Sequence, residues 1–329
     1  MPDTIEEIRL RWLREQDEHD RFRLALAELT KETLKSKGMA GRVTSRLKTI
    51  DSLVRKLMKQ VKEGRNPTFE SIVDKVGIRA VVRFKEEVEE AASHFQSAFR
   101  CLKLEFKSEG KQLNEFGYQS CHIDIGLRGD HPDYSPFRSF VAELQVRTVA
   151  QDLWADMAHE LSYKSVLRDL APSLQTLIDR RIYILSALVE SADMEFSRIN
   201  KEILSSEGAE NLLFLRALER EYFKFTSRPY DPEFSLEAIA VLAKINPRPI
   251  HQLRLDLASF SEKNNEKLAH IFADQATNQD RSAFLFQPEA ILIFECLDNR
   301  PLELEDVWQI NFPTRELERL ASAWATPVF

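Results

Sequence analysis

Cysteine, glycine and long apolar runs are all scarce in this 329-residue chain, and each scarcity excludes something. The three cysteines, Cys101, Cys121 and Cys296, are too scattered for a disulfide framework or a metal-binding spacing. A reducing compartment, the cytoplasm, is therefore the expectation. Nine glycines rule out a flexible glycine-rich chain. No apolar stretch approaches the ~20 residues that span a bilayer. The opening MPDTIEEIRLRW is charged, unlike a signal peptide, and no membrane partner is expected. A formal net charge of −7 argues against general nucleic-acid binding.

What is present is the composition of a globular protein, 43% hydrophobic and 30% charged, in a chain long enough for one large core or two ordinary ones. Its charge is unevenly spread. Between Lys31 and Arg65 stand 11 Lys and Arg against three acids, Glu32, Asp51 and Glu63. Such an island in an acidic chain points to a local anionic ligand. Residues 4–36 read as one amphipathic helix with Ile5, Ile8, Trp12, Phe22, Leu26 and Leu29 inward, and His19 is read as a surface residue. Val43 to Lys48 then alternates as a strand, with Thr44, Arg46 and Lys48 on one face. From Thr49, a plausible N-cap, the period becomes helical: Ile50, Leu53, Val54, Leu57 and Val61 form a stripe opposite Ser52, Lys56 and Lys59. Cationic side chains thus gather where a helix begins, an end whose free N–H groups already favour anions.

The segment 141–164, VAELQVRTVAQDLWADMAHELSYK, carries the most information. Glu143, Gln145 and Arg147 alternate with Leu144 and Val146, so the polar three share one strand face. A helix follows, with Leu153, Met157 and Leu161 spaced for packing and Trp154 expected in the core. Upstream, Asp74 precedes a strand that carries Arg79, and Tyr118, Ser120, His122 and Asp124 share a face of another. The order β-α-β-α-β-β-β-α predicts an α+β fold, a mixed β-sheet flanked by helices. Asp74 and Glu143 could share a Mg²⁺, a cation that takes few protein carboxylates and completes its shell with phosphates. Nearby Arg and Lys would neutralise a triphosphate, and Tyr118 offers a flat face for a base. Read singly, the Glu143 strand would be a half-exposed edge and Tyr118 a sheet residue.

Six motifs in order carry a resemblance. R-L-K-x-x-x-S-x-x-x-K (Arg46 to Lys56), D-K-V-G-I-R (Asp74 to Arg79), G-Y-Q-S-C-H (Gly117 to His122), E-L-Q-V-R-T (Glu143 to Thr148), W-A (Trp154, Ala155) and H-E-L-S-Y-K (His159 to Lys164) resemble the synthetase domain of RelA/SpoT-type alarmone synthetases. The resemblance covers roughly residues 40–200. It implies a nucleotidyltransferase-like sheet and a pyrophosphokinase that moves the β,γ-pyrophosphate of ATP to the 3′-hydroxyl of GTP or GDP, giving (p)ppGpp, the stringent-response alarmone. By position, Arg46 and Arg79 would sandwich the adenine of ATP, and Lys48, Ser52 and Lys56 would hold its phosphates. Asp74 and Glu143 would bind Mg²⁺, with Glu143 also the general base. Tyr118 would stack on the acceptor base and His122 would lie near the acceptor phosphates, with Gln145 and Arg147 lining the acceptor side. Members that use guanine nucleotides typically carry Asn before the Gly-Tyr pair, where this chain has Phe116.

Three regions follow: an N-terminal helix at 1–40, a synthetase domain at 41–205 ending in a long packing helix after Pro172, and a helical accessory or regulatory module at 206–329. That module is the expected surface for self-association or a regulatory protein partner. Two other readings stay open. One keeps the fold and donor but pyrophosphorylates the tRNA 3′ end or an adenosine nucleotide, making the chain a toxin of a toxin–antitoxin pair. The other is an inactive nucleotide-sensing interaction protein.

Overall fold

The computed structural model describes residues 4–106, 120–129, 136–161, 171–274 and 282–325. Two compact units emerge, Met1–Leu34 with Gly41–Arg198, and Lys35–Ala40 with Ile199–Phe329. Among the described residues no helix is long and apolar enough to cross a membrane.

In the first unit, helix α1 (Ile5–Ser36) leads into strand β1 (Arg42–Leu47) and helix α2 (Ile50–Lys62). A single helical turn at Val73–Lys75 precedes β2 (Val76–Val82), followed by α3 (Lys85–Ala98), β3 (Arg100–Phe106), β4 (Cys121–Gly126), β5 (Ala142–Thr148), α4 (Val149–Leu161) and α5 (Pro172–Ser205). The five strands form one mixed sheet in the order β1-β2-β5-β4-β3. Only β2 and β5 run parallel. The alternation expected from the sequence sorts the two faces. Ile78, Ala80, Val82, Ile123, Ile125, Leu144 and Val146 are buried on one, under Val88, Ala91, Ala92 and Phe95 of α3. Each such side chain contributes up to ~1.5–3 kcal/mol of burial free energy. The opposite face is polar, and the register sets Arg46, Gly77, Glu143 and Asp124 in one row across it. Thr44, Arg79, Gln145 and His122 make the next row.

Three expectations are corrected. His19 is not a surface residue: it is buried, stacks on Phe140 at 4.4 Å, and its Nδ1 lies 2.9 Å from the Glu15 carbonyl. Burial pushes its pKa down, so it packs as a neutral aromatic. On α4 the apolar residues face outward, Leu153 at 61% and Met157 at 48% exposure, and Trp154 is only half-buried. The face turned inward carries Gln151 and Asp152, because arginines wait beneath it. Helix α5 likewise is no apolar packing helix. Ser186, Asp193 and Ser197 are its buried residues, whereas Leu174, Leu177, Leu185, Leu188, Phe196 and Ile199 are exposed. The small residues make specific contacts: Ser197 Oγ accepts from Lys85 N at 3.2 Å, and Asp193 takes the Thr148 hydroxyl.

The second unit is all-helical, as expected for the C-terminal region. It contains α6 (Glu210–Phe225), α7 (Pro232–Leu242), α8 (Ile250–Lys263), α9 (Asn265–Asp274), α10 (Ala290–Asn299), α11 (Pro301–Asn311) and α12 (Thr314–Ala325). Leu218, Tyr222, Leu257, Phe294 and Trp308 fill its core. Helix α7 starts where the sequence directs: Asp231 Oδ1 accepts from Glu233 N at 3.0 Å and Phe234 N at 3.3 Å, with Pro232 in the first turn. Gly38, at φ +63, packs so closely on the Arg220 carbonyl that a Cβ would sit 1.9 Å from its oxygen.

At the start of α10, Glu289 is fully buried. Desolvation pushes its carboxyl up to about 7, opposed by the Ser235 hydroxyl and the backbone at Glu289 itself. An acid whose folded pKa is raised binds its proton more tightly folded than unfolded. Stability is therefore highest below the unfolded value of 4.5 and falls as pH climbs to about 7, then levels. Glu289→Gln should remove this slope from the unfolding free energy of the full chain, a change on the order of 3 kcal/mol between pH 4.5 and pH 8. Denaturant melts across that range check it, and an unchanged slope in the variant would assign the pH dependence to other groups.

Candidate functional site

The polar sheet face and the start of α2 bring most of the expected residues together. Thr49 caps α2, its Oγ1 accepting from Ser52 N at 3.3 Å, so the first turn and the end of β1 are fixed against each other. This sends Lys48 and Lys56 toward one carboxylate. Lys48 Nζ donates to Asp74 Oδ2 at 2.5 Å and Lys56 Nζ to Oδ1 at 2.7 Å. Burial alone would raise the Asp74 pKa, but the two lysine bonds and charges outweigh it and hold the acid below its ordinary value. Lys48 N also donates to the Lys75 carbonyl at 2.9 Å, which ties β1 to the turn bearing Asp74. Ser52 stays at the cap, where its Oγ accepts from Thr49 Oγ1 at 2.9 Å.

Beside this clamp lies an open cleft of about 160 Å³, lined by Thr44, Ser45, Arg46, Gly77, Ile78, Arg79, Glu143 and Gln145. Gly77 shapes its floor. Arg46 lies across it, and a Cβ there would touch the Arg46 Cγ and Nε at 3.4 Å. Arg79 enters from β2 and is steadied by α4, its Nη1 3.0 Å from Asp156 Oδ1 and 2.9 Å from Asp152 Oδ1.

Glu143 sits opposite Gly77 in the parallel pair and is bonded on both oxygens. His122 Nδ1 lies 2.9 Å from Oε1, and Gln145 Nε2 donates to Oε2 at 2.6 Å. Arg147 Nη2 in turn donates to Gln145 Oε1, so Arg147, Gln145 and Glu143 form one hydrogen-bonded run along β5. Burial works to raise the Glu143 pKa and the Asp74 charge adds to that. The His122 bond and charge and the Gln145 bond win, leaving Glu143 ionised and below its usual range. Asp124, beside Glu143 in the row, is raised by burial and by that neighbouring charge.

Two ionised carboxylates that feel each other, with hard oxygen donors and lysines alongside, could hold a cation of the Mg²⁺ type completed by phosphate and water. Among the described residues no group of three or more His, Cys, Asp or Glu could hold a metal, so any cation would rely on a substrate for the rest of its shell. Arg147 is buried, reaches Gln145 and Asp152, and supports the cleft from behind Gln145 rather than lining it. Tyr118 and the His159 side chain lie outside the described residues.

The sequence did not single out Asp152 or Asp156. Their i, i+4 spacing, one residue from Leu153 and Met157, reads as a solvated flank of the helix. The available signal was the placement of acids one turn into a helix that follows an Arg-bearing strand.

Comparison with known proteins locates this region. Residues 45–167 match the family described as a region found in RelA / SpoT proteins. Over 123 residues the chain is 28% identical to GTP pyrophosphokinase YwaC of Bacillus subtilis (strain 168), covering 36% of this chain and 57% of that protein. Over 167 residues it is 22% identical to GTP pyrophosphokinase YjbM of the same organism, covering 51% of this chain and 75% of that one. A solved structure, small alarmone synthetase 1 from Bacillus subtilis bound to its product pppGpp, aligns with a TM-score of 0.47 at 22% identity, over 58% of this chain and 98% of that one. The chain thus spans little more than half the length of the first of these relatives. The residues that match the RelA/SpoT family model, 45–167, are those that hold the Asp74 clamp, the arginine-lined cleft and Glu143.

Proposed function

We propose that this chain is an ATP-dependent pyrophosphokinase that transfers the β,γ-pyrophosphate of ATP to the 3′-hydroxyl of a guanine nucleotide. The observation that carries this reading is the pairing of an ionised Asp74, gripped by Lys48 and Lys56, with a cleft where Arg46 and Arg79 flank Glu143. Two guanidiniums beside a shallow cleft suit the planar adenine of ATP, by stacking and cation–π attraction. Lys48 and Lys56 are free to turn from Asp74 to the donor phosphates once a cation takes over the carboxylate. Mg²⁺, when bound between Asp74 and Glu143, would neutralise charge on the β- and γ-phosphates. Glu143, kept ionised by His122 and Gln145, accepts the proton of the acceptor hydroxyl as its oxygen attacks the β-phosphorus and AMP leaves.

The relatives named GTP pyrophosphokinase support the guanine acceptor. A tRNA acceptor is the second reading. It is favoured by exposed cations at the start of β1 and beyond α2, Arg42 at 66% and Arg65 at 68% side-chain exposure. On either reading Tyr118 is the proposed stacking partner of the acceptor base.

The deciding measurement is transfer of label from γ-³²P-ATP with Mg²⁺ to GDP, GTP, AMP or bulk tRNA, offered in parallel. Label on GDP or GTP, lost when EDTA removes the cation, is the expected result. Label on tRNA, with affinity falling steeply in salt, would replace the acceptor assignment. No transfer to any of the four would refute the enzyme reading.

Glu143→Gln should lower kcat by about 10²–10⁴-fold, the range for removing a general base. Binding of a non-hydrolysable ATP analogue, followed by calorimetry, should change little. A variant with near-normal kcat would take Glu143 out of the proton transfer.

A further inference from the structure

We infer that Asp152 is a positioning residue of the donor site, a buried carboxylate that holds Arg79 at the cleft and keeps the arginines of three neighbouring strands from scattering. The inference rests on the cleft being the ATP site and adds a residue that neither the motifs nor the comparisons single out.

Four observations converge. The Asp152 side chain is 4% exposed, and a carboxylate so placed is strongly unfavourable unless cations compensate it. Three do, one from each of β1, β2 and β5: Arg42 Nη2 at 2.6 Å from Oδ2, Arg79 Nη1 at 2.9 Å from Oδ1, and Arg147 Nη1 at 3.7 Å from Oδ1. Second, these cations conflict without it. Arg147 is depressed to about 10 by burial first and by the charge of Arg79 second, while Asp152 works in the opposite direction.

Third, Asp152 is anchored. Thr148 N donates to Gln151 Oε1 at 3.0 Å and Gln151 N to Thr148 Oγ1 at 3.1 Å, a reciprocal cap that fixes the first turn of α4 on the end of β5. That turn also favours a negative charge. Fourth, the hold on Arg79 is by charge. Asp152 Oδ1 lies at ion-pair distance from Arg79 and Arg147 but makes no well-directed hydrogen bond. The Arg79 guanidinium can therefore rock toward a ligand without losing its counter-charge. Asp156 accepts a hydrogen bond from Arg79 Nη1 at 3.0 Å but is 65% exposed, where a charged pair is worth little. The buried acid therefore sets where Arg79 rests.

The test uses the full chain and a non-hydrolysable ATP analogue with Mg²⁺, measured by calorimetry beside steady-state kinetics. Asp152→Asn should weaken analogue binding and raise the ATP KM by about tenfold, the loss expected for one charge-assisted contact. The acceptor KM should stay unchanged. In an Arg79→Ala background the same substitution should add less than about twofold, because its target is already gone. A merely structural role predicts the reverse: a lower melting temperature, ATP affinity intact, and full additivity with Arg79→Ala. That pattern would overturn the inference while leaving the donor site standing. Failure of the wild-type chain to bind the analogue would overturn both. Should Asp152→Asn not fold, Asp152→Glu keeps the charge on a longer arm. It must then show a small ATP-specific loss or none, and a loss as large as that of Arg79→Ala would sink the idea.

Discussion

The polar face of the sheet depends on one constraint: a carboxylate drawn out of water needs cations or hydrogen-bond donors beside it. Asp74 meets the constraint through Lys48 and Lys56, Glu143 through His122 and Gln145, and Asp152 through three arginines. Burial opposes ionisation at both Asp74 and Glu143, and in each case the partners prevail. The outcome is a surface of high charge density with little net local charge. A polyphosphate with a cation could enter by exchanging partners, without meeting a bare field. Such exchange is less costly than desolvating a free lysine or carboxylate, because each group has already left bulk water.

Register does the rest. The parallel β2–β5 pair sets Gly77 against Glu143, and the antiparallel β1–β2 pair sets Arg46 against the same glycine. With no side chain at position 77, Arg46 lies flat across the strand and the cleft stays open above Glu143. A one-residue slip of β1 would turn Arg46 into the apolar face, so the site is only as secure as the strand pairing. That pairing is guarded from below by Ile78, Leu144, Val146 and Ile123, none of which tolerates exposure. The hydrophobic face therefore specifies the geometry of the charged one.

This explains what could be read from the sequence and what could not. Period-two alternation assigns Arg46, His122 and the Glu143–Gln145 pair each to the polar side of its own strand, since the apolar residues beside them have one place to go, and the register then joins those sides, with Arg79, into one face. The Thr49 cap was legible for the same local reason. The failures share a different cause. On α4 and α5 the periodicity directs the apolar stripe inward, but Leu153 and Leu188 are exposed, and Asp152, Ser186, Asp193 and Ser197 are buried. Helical periodicity identifies an apolar side but does not state which side meets the protein when the other meets its counter-charges. His19 failed likewise. Its cage of Trp12, Phe69 and Phe140 is assembled from three separate segments, and no local pattern announces it.

The charge pattern also bears on the acceptor. Moving from Glu143 across β4 to β3, the row continues with Asp124 and then Lys103, and the next row holds His122 and Glu105. Asp124 is raised by burial and by Glu143, so this end of the sheet resists further negative charge. Acceptor phosphates would be repelled there unless His122 or cations from another segment met them. A ribose hydroxyl would be welcome, since a carboxylate accepts its hydrogen bond at no electrostatic cost. On the Asp124 side of the proposed general base a neutral hydroxyl would therefore be favoured over an acceptor phosphate, so an acceptor nucleotide would turn its sugar toward Glu143 and its phosphates away from Asp124.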